Sequence, residues 1–225
     1  MADKKILIGM PCMDTIPVKV VEHLMNLIKP CECYYKFVSG SLVYDARDAI
    51  CQLAIQGKYT HVLFIDSDMF FEPEALKKAL DRDVDILTGL YFKRRDKHEP
   101  VLYKSIGQRE YREDGTVKQH GFAHIETDLS RDFFQVEGCG FGFVLIKVEV
   151  LKKIKKEFIS WFEPIQGLGE DLSFCQKLKA LNIPLWCDTT IKLGHYGNYC
   201  YTWKDWEIDA EEDDGIKIEW NTSAT

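Results

Sequence analysis

Through residues 5–92, short apolar runs alternate with longer stretches in which apolar residues recur every three or four positions. KILIGM (5–10) is almost wholly apolar and stops at a proline, as suits a strand buried on both faces. Residues 17–29 then place Val20, Val21, Leu24, Leu27 and Ile28 at helical spacing. CYYKFV (33–38) reads as a second strand, stopped by Ser39 and Gly40. Residues 42–56 read as a second helix, with Ala46, Ala49, Ile50, Leu53 and Ala54 on one face. HVLFI (61–65) is a third strand, Pro73 opens the helical PEALKKAL, and VDILTGLYF (84–92) supplies a fourth strand. This alternation predicts an α/β fold whose mostly parallel central sheet is doubly wound and flanked by helices.

The pattern then breaks. From Lys93 to about Asp132 the chain is polar and irregular, with a hairpin predicted around REDGTV (112–117). VEGCGFGFVLIKVEV (136–150) returns to strand character, and a basic amphipathic helix follows. Leu172, Cys175, Leu178 and Leu181 then mark one face of a further helix, and Pro184 begins another strand. The organisation expected is one catalytic domain over 1–204 and an acidic, mobile tail over 205–225.

Charge and composition narrow the function classes. The net charge of −7 comes from 36 acids and 29 bases. Eight of those acids and one base lie in 205–225, which leaves 28 of each before the tail. A neutral body offers no basic face for a nucleic acid, so none is expected as a partner. No apolar run reaches the roughly 18 residues of a membrane span, and MADKKILIGM lacks the apolar core of a signal peptide. Eight cysteines are scattered without a CxxC pair, which suits reduced thiols in a cytoplasmic protein better than disulfides or zinc.

Candidate chemistry begins at FIDSDM. Asp66 and Asp68 follow an apolar strand, and ligands in open α/β sheets bind beyond the carboxyl ends of such strands. A turn before the next helix is the plainer reading of the two acids. The functional reading is a divalent cation, Mn2+ or Mg2+, gripping the phosphates of a nucleotide and relieving the repulsion between the carboxylates. DRDVD (81–85) carries the same triplet in a helix-to-strand connection, where solvated acids are ordinary. GLGEDLSFC places Glu170 and Asp171 at a helix start, where capping alone would also favour them. KLGHYGN places His195 after a strand, beside Gly197, and its imidazole would favour manganese.

The ordered set IGMPC, SLVYDARDAI, FIDSDM, TGLYFKRR, VEGCGFGFVLI, WFEP, GEDLSFC and GHYG resembles the GT-A class of glycosyltransferases. The likeness is to small stand-alone family 2-like enzymes of bacteria, phages and large viruses, and it covers most of residues 5–200. It implies a Rossmann-like nucleotide-sugar-binding fold and transfer of a sugar from a UDP-sugar to a hydroxyl acceptor. Asp68 would ligate the metal directly, Asp66 the metal or the ribose, and His195 would be the third protein ligand. Pro11, Cys12, Met13 and Ser67 would line the nucleotide pocket. Arg47 would approach the base or diphosphate, oriented by Asp45. Asp171 would deprotonate the acceptor in an inverting reaction, with Glu170 as a second acid against acceptor or donor. Gly140 and Phe141 would lie close to a sugar, and Trp161 and Phe162 would form an apolar platform for the acceptor. Many relatives close the second strand with an acid that reads the base, whereas Ser39 and Gly40 stand there. A nucleotidyltransferase, or a binding module of the same fold without turnover, is the alternative.

Overall fold

The structure, a computed structural model, describes residues 3–94, 99–107, 110–119, 122–125, 131–165, 167–197 and 200–201. The acidic tail, and Arg95 of the FKRR segment, lie outside the described residues.

The first half follows the sequence pattern closely. It runs β1 (Lys5–Pro11), α1 (Val18–Asn26), β2 (Glu32–Val38), α2 (Val43–Gln56), β3 (His61–Ile65), β4 (Met69–Phe71), α3 (Ala75–Asp81) and β5 (Ile86–Leu90). The second half adds β6 (Leu102–Ile106), β7 (Glu110–Tyr111), β8 (Val117–Gln119), β9 (Phe122–His124), β10 (Phe133–Val136), β11 (Gly138–Cys139) and β12 (Phe143–Lys147). It ends with α4 (Val148–Glu157), α5 (Glu170–Ala180), β13 (Leu185–Tyr196) and β14 (Cys200–Tyr201).

The main sheet has the order β10-β13-β5-β12-β3-β1-β2. β1 pairs parallel with both β2 and β3, and β5 pairs parallel with β13. The fourth strand of the sequence pattern does not lie beside the third, because β12 inserts between β3 and β5, antiparallel to both. β2 forms the outer edge, which leaves Tyr34, Tyr35 and Phe37 exposed.

Strand residues alternate between two cores, as the period of two requires. Leu7, Val62 and Phe64 face the layer holding α2, α4 and α5, while Ile6, Ile8, Leu63 and Ile65 face α1 and α3. The region read as irregular contributes β6 and β9 to a small sheet, β11-β6-β9, and holds the expected hairpin β7–β8. Gly115 turns that hairpin at φ +80°, a conformation that suits glycine.

One strand matters most for the site. β13 runs parallel to β5 through Asp188, shifts register, and then pairs antiparallel with β4, setting His195 opposite Met69. The backbone amide of Tyr196 also donates to the carbonyl of Asp68 at 2.6 Å. A histidine 127 positions away is thereby delivered to the turn that follows β3.

Candidate active site

β3 ends at Ile65, and the chain turns through Asp66, Ser67 and Asp68 into β4. The Asp66 amide donates to the Gly142 carbonyl at 3.1 Å and the Met69 amide to the Asp66 carbonyl at 3.2 Å. Because the segment turns rather than staying extended, the two carboxylates find different partners.

Asp66 is met by Arg47, whose Nη2 lies 2.8 Å from Oδ1; Nη1 of the same guanidinium lies 2.7 Å from Glu170 Oε1. Arg47 is 3% exposed and lies over the faces of Phe141 and Phe162. Burial raises the Asp66 carboxyl above its ordinary range, and Arg47 offsets part of that rise. The guanidinium therefore ties the end of β3 to the start of α5. Asp45 is exposed in the first turn of α2.

Asp68 is met by His195, with Nε2 3.4 Å from Oδ2, and by Arg94, with Nη1 3.1 Å from the same oxygen. Burial works to raise the Asp68 carboxyl, but His195 and Arg94 outweigh it and hold it below the ordinary value. His195 Nδ1 lies 3.1 Å from the Phe92 carbonyl, which can only accept, so Nδ1 carries the proton. Nε2 is then the nitrogen turned to the carboxylate. With Nδ1 donating to a backbone carbonyl, Nε2 faces Asp68 as a donor, and it is the nitrogen that a cation would take in place of that proton.

An open cleft of about 260 Å³ joins these parts. It is lined by Pro11, Cys12 and Met13 after β1, by Ser41, Val43, Ala46 and Arg47 at the start of α2, and by Asp66, Ser67, Asp68 and Glu170. It lies beyond the carboxyl ends of β1 and β3, where a doubly wound sheet offers a crevice.

Asp171 stands next to Glu170 in the first turn of α5, with Oδ1 accepting from the Leu172 amide at 2.7 Å. Burial and the adjacent Glu170 push its carboxyl up from 3.8 to about 6, while Arg47 and the Leu172 amide pull the other way. That brings it close to the range of a general base working near neutrality.

Four expected sugar-contacting residues are core instead. Trp161 is 2% exposed and its indole N–H donates to the Leu151 carbonyl at 2.8 Å. Phe162 is fully buried, stacked on Phe174 and edge-on to Phe64 and Phe141. Asp48 holds this segment by accepting from the Phe162 amide and the Ser160 hydroxyl, a role its sequence context does not reveal. Phe141 is 1% exposed, and a Cβ on Gly140 would sit 2.1 Å from the Tyr91 hydroxyl. The glycines of CGFGF thus admit a tyrosine, not a sugar. The DRDVD acids remain on the surface, with Asp81 paired to Lys77 and Asp83 between Lys4 and Lys147.

Among the described residues, no group of three His, Cys, Asp or Glu side chains is assembled to hold a metal. Asp66 is engaged by Arg47, and the donors that do converge are Asp68 and His195. A carboxylate and an imidazole fit a cation that takes its remaining ligands from phosphate and water better than one caged by protein alone. Also among the described residues, no helix is long and apolar enough to cross a membrane.

No protein-family model matches the chain, and no curated protein matches it significantly. Among solved structures it is similar to A197 from STIV, with a TM-score of 0.57 and 22% identity over 86% of each chain. It is more distantly similar to residues 1–349 of S. aureus TarS, with a TM-score of 0.49 and 15% identity. The same fragment in complex with UDP-GlcNAc gives 0.48 and 15%. The chain spans 60% and 58% of those two structures, and 83% and 82% of its own length is covered. At these identities the likeness is one of architecture: the chain has a GT-A-like α/β fold, with the mostly parallel, helix-flanked sheet that its motif order implies.

Proposed function

We propose that the protein is a metal-dependent glycosyltransferase that moves a sugar from a nucleotide-sugar, UDP by default, to a hydroxyl acceptor with inversion. The observation that carries this reading is the cleft in which Pro11–Met13, the acids after β3 and Glu170 at the start of α5 meet, with Asp171 the next residue along α5. Asp68 and His195 would hold Mn2+ or Mg2+, which when bound supplies Lewis-acid stabilisation to the departing diphosphate.

The chain's own residues do the rest. Arg47 keeps Asp66 and Glu170 fixed relative to each other, so that the donor side and the acceptor side of the cleft keep one spacing. Asp171, ionised above about pH 6, takes the proton from the acceptor hydroxyl as the new bond forms. Glu170, at the edge of the cleft, is placed to hydrogen-bond a sugar hydroxyl through the oxygen Arg47 does not occupy.

Asp68→Ala tests the donor side. Manganese-dependent binding of UDP, followed by calorimetry, should be lost in the variant and present in the wild type. Equal affinity in both would remove the metal assignment, and a failure of the wild type to release UDP from any UDP-sugar would remove the transferase assignment.

A further inference from the structure

Arg94 reaches Asp68 from a segment that neither the cleft nor the acid pairs require. Its Nη1 lies 3.1 Å from Asp68 Oδ2 and donates to the Tyr196 carbonyl at 3.1 Å, so a carboxylate and a backbone oxygen hold it together. The same Oδ2 faces His195 Nε2 at 3.4 Å. One carboxylate oxygen therefore serves both the guanidinium and the nitrogen that would share a cation with it.

The two arginines of the site differ in kind. Among the described residues, Arg47 is 3% exposed and bound to two acids, while Arg94 is 46% exposed and bound to one. A buried pair of charges resists exchange, because each would be left unpaired in poor solvent. A half-exposed pair is held weakly, because water can solvate either member once they part.

We propose that Arg94 is an exchangeable counter-ion for Asp68, which occupies the carboxylate until a divalent cation displaces it. The inference rests on the metal reading of Asp68. A guanidinium and a divalent cation repel each other across one carboxylate, so each binds at the expense of the other. Arg94 thus weakens capture of a bare cation. An ion arriving with a diphosphate suffers less, because phosphate oxygens offer the displaced guanidinium a new charge-assisted partner. The arrangement favours the metal–diphosphate unit over the free metal.

The probe is Mn2+ alone, titrated to millimolar concentration and followed by water-proton relaxation, on the wild type, Arg94→Met, Asp68→Asn and Lys36→Met. Lys36 lies on exposed β2 at the far edge of the sheet and controls for the change in net charge. Arg94→Met should tighten Mn2+ binding about two- to five-fold, the worth of a half-exposed ion pair. Lys36→Met should leave it unchanged, and Asp68→Asn should abolish it. An Asp68-dependent site whose affinity is the same in Arg94→Met, or is raised equally by Lys36→Met, overturns the proposal alone. Binding that is absent in both the wild type and Arg94→Met, or indifferent to Asp68, overturns the metal reading and the proposal with it.

Discussion

Replacing Asp171 with asparagine should stabilise the protein while removing its activity. The carboxyl is raised from 3.8 to about 6 by burial and by Glu170. The ionised form is therefore disfavoured in the folded chain relative to the unfolded one. Below about pH 4 the group is protonated in both states and contributes no penalty. Between about pH 4 and 6 the penalty grows, and above 6 it is complete. Each tenfold change in the ionisation constant is worth about 1.4 kcal/mol, so a rise of this size costs about 3 kcal/mol at neutral pH. Asparagine keeps the oxygen that accepts from the Leu172 amide and never carries the charge. At about 2–4 °C per kcal/mol for a chain of this size, the variant should melt roughly 6–12 °C above the wild type at pH 7.5. The two should converge near pH 4. Thermal melts across that range, paired with product formation at saturating donor, make the test. Transfer should fall by about 10²–10⁴-fold, as for loss of a positioned base. A variant no more stable at pH 7.5, or stabilised equally at both pH values, would refute the electrostatic argument; a variant with wild-type turnover would refute the role of the base.

Arg47→Met should destabilise the fold by about 3–5 kcal/mol, because Asp66 and Glu170 would face each other without their shared cation. Urea unfolding with an unchanged midpoint would show that water replaces the guanidinium without cost. Phe162→Ala should cost about 3–5 kcal/mol of stability by opening a cavity between Phe64, Phe141 and Phe174. A change confined to the KM for the acceptor, with stability intact, would return this residue to the binding surface.

The strands and helices of the first half were legible because their apolar periods are clean and their lengths ordinary. HVLFI coincides with β3, and the helix read over 42–56 is α2 over Val43–Gln56. The converging acids were legible for a different reason: a strand pattern that ends in carboxylates has few structural uses. What escaped were relations between distant residues. Nothing local in DARDA shows that Arg47 will be answered by a glutamate 123 positions later. WFEP misleads because an aromatic pair beside polar motifs looks the same whether it lines a pocket or closes a core. The difference lies in Asp48 and Phe174, which hold the segment inward. β4 was hidden because three residues are too few to show a period, yet it is the strand that receives His195.

The insertion of β12 between β3 and β5 has a consequence for how the chain reaches this state. Residues 61–65 and 86–90 are both fully buried strands, and neither can pair with the other. Until residues 143–147 arrive, each presents an open, apolar edge, the form in which strands seek partners from other chains. Closing the centre of the sheet requires a loop of about eighty residues, so the step that completes the core is also entropically the slow one. A nascent or truncated chain ending near residue 92 would therefore not be a smaller version of this fold. It would be an aggregation-prone half, and the same late strand that supports the DSD turn through Gly142 would be what commits the molecule to its native topology.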